Sequence, residues 1–211
     1  MPLTSIRNAS LAFFLIAAPL HAAPATLLAL GDSLTQGYGL PPEDGLVPQL
    51  QAWLTANGQD TIVLNAGVSG DTTAGGLSRL DWSLTADVDA VMINLGGNDM
   101  LRGLDPALAR ANLDAIMTGI EAKGLPMLLV SLRAPANYGT EYQSNFDSMF
   151  ADLAKAHGAQ LATPYFDPLM TEDGLLDPKL MQADGIHPNA AGIQKLLPVL
   201  GPQVKDLLSN L

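Results

Sequence analysis

The chain reads as an α/β protein: a three-layer α/β/α sandwich around a central parallel sheet of about five strands. Three observations predict it. Short apolar runs alternate with longer amphipathic stretches along the chain. The apolar runs are nearly continuous, as strands covered on both faces require. Glycine-bearing turns close the first three runs, where strand-to-helix connections belong.

The elements follow in order. Thr26–Leu30 is a first strand that ends at Gly31. Leu46–Ala56 is a helix, with Leu46, Leu50, Trp53 and Leu54 at helical spacing and Asn57-Gly58 as its stop. Thr61–Asn65 is a second strand, Thr72–Leu84 a second helix, and Ala90–Leu95 a third strand closed by Gly96-Gly97. Asp105 is a suitable N-cap and Pro106 suits the first helical position. From there Leu108, Ala111, Leu113, Ile116, Met117 and Ile120 form an apolar face that ends before Gly124 and Pro126. Met127–Leu132 is a fourth strand, Glu141–His157 a helix and Ala159–Ala162 a short fifth strand. The last helix starts near Asn189, and Pro198 and Pro202 are expected to bend or interrupt it. Trp53 and Trp82 are expected in the core or on helix faces.

Bulk composition narrows the function. A chain of 211 residues with 48% apolar and 15% charged residues can bury a full core and is not a disordered polymer. The net charge of −11, from 10 basic and 21 acidic residues, argues against a nucleic-acid partner. With no cysteine, there is no disulfide, thiol nucleophile or thiolate metal site. Arg7 precedes an apolar stretch, Leu11–Leu20, and His21-Ala22-Ala23 supplies small residues for cleavage. Residues 1–23 are thus expected to be a secretory signal peptide, and 24–211 one domain. The stretch is about half the roughly 20 residues that a spanning helix needs. A periplasmic or secreted protein without stable membrane insertion is expected.

The chemistry-bearing residues fall in four segments. Gly31-Asp32-Ser33-Leu34 follows the first strand, Gly67-Val68-Ser69-Gly70-Asp71-Thr72 the second and Gly96-Gly97-Asn98-Asp99 the third. Asp184-Gly185-Ile186-His187-Pro188 precedes the last helix. In parallel sheets the carboxyl ends of the strands frame the ligand cleft, so the first three can share one site. A serine, an imidazole and a carboxylate are the groups that activate a hydroxyl nucleophile. Each segment alone is equally an ordinary turn, because Gly, Asp, Asn and Ser are turn residues.

Taken together, the four segments resemble the SGNH (GDSL) hydrolase family. Ser33, Gly70, Asn98 and His187 stand at the four residues for which that family is named. Leu101-Arg102-Gly103, Pro135–Gly139 and Met181-Gln182 are similar to its bacterial periplasmic acyl-CoA thioesterase I, lysophospholipase L1 and arylesterase group. The resemblance implies a flavodoxin-like fold and a serine esterase that hydrolyses acyl esters and thioesters through an acyl-enzyme. Ser33 would be the nucleophile, His187 the base and Asp184 its orienting acid. The Ser33 and Gly70 N–H groups and the Asn98 side-chain amide would form the oxyanion hole. The same resemblance implies no cofactor and no metal, a small acyl ester or lipid substrate, and a monomer.

Further expectations come from the residues themselves. Met100, Leu101, Leu104 and Leu40 are placed to bind an acyl chain, with Pro135 and Tyr138 on the far side. Asp32, Asp71 and Asp99 are expected to bond turn N–H groups, and His157 to sit at a helix end as a dipole partner. Metal-assisted hydrolysis through the aspartates and His187, carbohydrate O-acetylester hydrolysis, and a non-catalytic binding role stay open as alternatives.

Overall fold

A computed structural model describes residues 23–211; the expected signal peptide lies almost wholly outside the described residues. The five strands are β1 (Ala25–Gly31), β2 (Thr61–Gly67), β3 (Ala90–Asn94), β4 (Met127–Val130) and β5 (Gln160–Ala162). They form one all-parallel sheet in the order β2-β1-β3-β4-β5. Central β3 is buried along its whole length, whereas the edge strands expose Ile62 and Leu161. Continuous apolar runs therefore meant burial on both faces only in the middle of the sheet.

Eight helices flank the sheet among the described residues: α1 (Ser33–Gln36), α2 (Leu46–Ala56), α3 (Thr73–Ser78), α4 (Leu80–Ser83), α5 (Gly97–Leu101), α6 (Pro106–Glu121), α7 (Thr140–Ala156) and α8 (Ala190–Leu208). One layer pairs α2 with α8, and α8 also packs on β3, β4 and β5. The other pairs α6 with α3 and α7. This is the expected three-layer sandwich. Leu30, Met92, Ile93, Leu113, Phe146, Phe150 and Val204 are among its fully or almost fully buried core residues.

Three elements differ from the sequence reading. The helix expected over Thr72–Leu84 is two short helices joined at Arg79. Gly75-Gly76 weakens helix propensity there. The Arg79 guanidinium also bonds Asp71 Oδ2 at 2.7 Å and the Gly31 carbonyl at 2.9 Å, which holds the junction. The last helix runs unbroken through Pro198 and Pro202. Both prolines are exposed, so water can solvate the carbonyls they leave unpaired. Trp53 is half-buried and packs on Gly201, where no Cβ would fit, whereas Trp82 is 84% exposed.

Candidate active site

The site is assembled at the carboxyl edge of β1, β2 and β3, and α1 and α5 begin directly in the motif turns. The sequence reading missed these two short helices. Asp32 caps α1, its Oδ1 accepting from the Leu34 N–H at 3.0 Å. Ser33 is therefore held at the first helical position. The Asp184–His187 loop is closed by a bridge between Met181 and Pro188. The His187 carbonyl accepts from the Gln182 N–H at 2.7 Å. The Gln182 side chain also donates to the carbonyls of Tyr38 and Pro188 at 2.8 and 2.9 Å, tying the loop after α1 to the Asp184–His187 loop.

Between these loops lies a continuous hydrogen-bonded row. Ser33 Oγ is 2.8 Å from His187 Nε2, and His187 Nδ1 is 2.6 Å from Asp184 Oδ2. Asp184 Oδ1 accepts from the N–H groups of Ile186 and His187 at 2.9 and 3.0 Å. Slight burial opposes ionisation of Asp184. The hydrogen bonds from the His187 backbone and ring and from Ile186 outweigh it and hold the carboxyl down at about 2. An ionised carboxylate only accepts, so Nδ1 carries the proton and Nε2 is left to accept from the serine hydroxyl. The Tyr38 ring lies against the imidazole, with centroids 4.7 Å apart. This contact had no signal in sequence spacing.

Gly70 sits at the third position of the turn 68–71, which closes by an Asp71 N–H bond to the Val68 carbonyl at 3.1 Å. Its φ of +85° is open only to glycine without strain. Among the described residues, no hydrogen bond takes up the N–H of Ser33 or of Gly70. Asn98 stands in the first turn of α5. Its amide nitrogen donates to the Asp71 carbonyl at 2.9 Å and, less closely, to Asp32 Oδ2 at 3.2 Å. Burial pushes the Asp32 carboxyl up to about 6, against the bonds from Leu34 and Asn98 and the nearby His187.

The remaining aspartates have structural partners. Asp99 is buried and accepts from the backbone and hydroxyl of Thr73 at 2.8 and 2.7 Å. Asp71 differs from the expected turn cap, because its carboxylate pairs with Arg79. Among the described residues, no group of three or more His, Asp or Glu is arranged to hold a metal ion.

A cleft of about 1140 Å³ opens beside the row. Ser33, Gly70, Asn98 and His187 line it together with Met100, Leu101, Leu132 and Pro135. Leu104 and Tyr138 are not on its wall. Tyr138 stacks on Tyr142, with ring centroids 5.0 Å apart, and the Tyr142 hydroxyl donates to the Leu104 carbonyl at 3.0 Å. Leu40 packs on the core beside the site. The far wall comes instead from Pro164, Phe166, Met170, Leu175 and Leu176, in the loops after β5. Sequence reasoning passed over this segment, yet its position past the carboxyl end of a parallel strand was a usable signal.

The GDSL-like Lipase/Acylhydrolase family matches residues 29–195. The chain is 39% identical over 189 residues to the esterase TesA of Pseudomonas aeruginosa, covering 89% of this chain and 92% of that protein. It is 36% identical over 200 residues to thioesterase 1/protease 1/lysophospholipase L1 of Escherichia coli strain K12, covering 93% and 92%. The crystal structure of AlinE4, an SGNH-hydrolase family esterase, superposes with a TM-score of 0.72 at 37% identity, covering 89% and 98% of the two chains. With its four motif segments converging on one cleft, the chain belongs to the GDSL-like lipase/acylhydrolase family of ester hydrolases.

Proposed function

We propose that the chain is a serine esterase that cleaves carboxylic esters and thioesters through an acyl-enzyme on Ser33. The Ser33–His187–Asp184 row carries this reading. Ser33 Oγ attacks the acyl carbon while His187 Nε2 takes its proton. Asp184, ionised down to about pH 2, stabilises the imidazolium that forms. The carbonyl oxygen becomes an oxyanion that meets the uncommitted N–H groups of Ser33 and Gly70. Asn98 completes the set by exchanging its longer bond, the one to Asp32, for the oxyanion. The imidazolium then protonates the leaving alcohol or thiol, and water repeats the sequence to release the acid and free Ser33.

The apolar wall supports acyl chains longer than acetyl. Leu101, Met170, Leu175 and Ile186 all line the cleft while partly exposed, as a channel for a flexible chain requires. Lysophospholipids, aryl esters and acyl-CoA are the proposed substrates, cleaved by a monomer after export to the periplasm or beyond. Among the described residues no helix is long and apolar enough to cross a membrane.

A fluorophosphonate should label Ser33, identified by peptide mass; labelling elsewhere overturns the nucleophile assignment. A panel of p-nitrophenyl esters, acyl-CoAs, lysophospholipids and acetylated sugars should show kcat/KM rising from acetyl to longer chains. A preference for acetylated sugars overturns the acyl-chain reading. The first residue of the exported protein should be Ala23 or Pro24.

A further inference from the structure

Arg102 lies in the Leu101-Arg102-Gly103 segment, which takes no part in the proposed proton transfer. It follows α5 directly, four residues after Asn98. Its guanidinium reaches across to the second motif and donates to the Gly70 carbonyl at 2.7 Å. Among the described residues it pairs with no carboxylate.

The turn 68–71 is firmly held on either side of Gly70. Before it, the Val68 N–H bonds the Gly31 carbonyl at 3.0 Å and the Ser69 hydroxyl bonds the Gln36 side chain at 2.8 Å. After it, Asp71 is fixed through its carbonyl by Asn98 and through its carboxylate by Arg79. Gly70 itself is exposed and has no side chain to pack, and a glycine's φ and ψ are intrinsically the least restricted. Arg102 takes up the carbonyl of that residue.

We propose that Arg102 is a positioning residue that locks Gly70 so that its N–H faces the developing oxyanion. Because Arg102 caps the helix that also carries Asn98, one short helix sets the spacing between two oxyanion donors. The proposal rests on the oxyanion role of Gly70 and Asn98 given above. A charge-assisted bond to a carbonyl fixes orientation more firmly than a neutral one. The bracing matters in the transition state, where the oxyanion forms, and not in substrate binding.

The test uses the full enzyme and a neutral p-nitrophenyl ester, so that no substrate charge can meet the guanidinium. Arg102→Met should lower kcat on the order of tenfold with KM within about twofold, as for losing one charge-assisted bond. Arg102→Lys should recover most of the loss. A normal kcat in Arg102→Met while Asn98→Ala is strongly impaired overturns the bracing role alone. Normal kcat in both variants overturns the oxyanion assignment beneath it. A raised KM with unchanged kcat makes Arg102 a binding contact and equally overturns the proposal.

Discussion

His187 and His157 both pair a ring nitrogen with a carboxylate, yet their surroundings suit them to different work. His187 Nδ1 faces Asp184, while its Nε2 faces the Ser33 hydroxyl. His157, the C-cap of α7, has Glu121 Oε2 at 3.0 Å from Nδ1 and Asp114 Oδ1 at 2.9 Å from Nε2. Burial opposes the charge, but carboxylate oxygens at both ring nitrogens favour the protonated ring and raise the pKa of His157. The first imidazole has one lone pair facing a hydroxyl and can move a proton. The second faces a carboxylate at each ring nitrogen, which favours its protonated form, and clamps α7 to α6. One carboxylate leaves the other imidazole nitrogen free to face a hydroxyl, and a second raises the affinity of the ring for a proton.

The sharpest way to break this comparison is to remove the hydroxyl. Ser33→Ala should lower turnover of p-nitrophenyl butyrate by at least about 10⁴-fold, since groups acting as one unit fail together. Circular dichroism and melting should be little changed, because the side chain lies at a cleft. If activity survives, the row at His187 is structural, like the one at His157. Next in size, Asn98→Ala should cost on the order of 100–1,000-fold in kcat, the loss of one oxyanion donor. A small effect would mean that the bonds from Asn98 to Asp71 and Asp32 are its whole purpose.

The cleft wall should respond differently. Met170→Ala combined with Leu175→Ala should lower kcat/KM on the order of tenfold for octanoyl esters and leave acetyl esters nearly unchanged. A pocket contact of a few methyl groups is worth about 1–3 kcal/mol. Equal losses for both esters would place these residues in the chemistry instead.

These contrasts also mark what could be read without coordinates. The proposed proton transfer and oxyanion binding need particular atoms, so Ser33, Asp184, His187, Gly70 and Asn98 stand out as residue types in order. Strand runs were legible because burial on both faces makes them continuously apolar, and most helices because burial of one face imposes a period. The wall was not, because any apolar residue serves there. Leu101 and Pro135 were found from their motifs, whereas Met170, Leu175 and Leu176 come from a loop without a pattern. Leu104 and Tyr138 lie off the wall because apolar residues near a site in sequence need not face it: Leu104 is exposed, and Tyr138 packs on the core and on Tyr142. Pro198 and Pro202 misled for a related reason: a helix tolerates proline where the freed carbonyl meets water. The second partner of His157 was equally hidden, since Asp114 lies 43 residues away on another helix.

That second partner sets the smallest expected effect. Burial alone would lower the pKa of His157, but the bonds and charges of Glu121 and Asp114 outweigh it and raise the value above the ordinary 6.5. A raised folded-state pKa stabilises the protein fully below the unfolded value. The contribution is lost as pH rises through the folded one. His157→Ala should therefore lose stability against the parent chain most near pH 6, with the gap closing toward pH 9. Both carboxylates are more than half exposed, at 57% and 60%, so the clamp is screened by solvent and salt. About 1 kcal/mol at pH 6 is the expected scale. Urea unfolding of both proteins across this range reads the gap directly, and kcat/KM for the butyrate ester should stay within about twofold. A gap that widens with pH would show that His157 is held neutral, and with it would go the distinction between the two imidazoles.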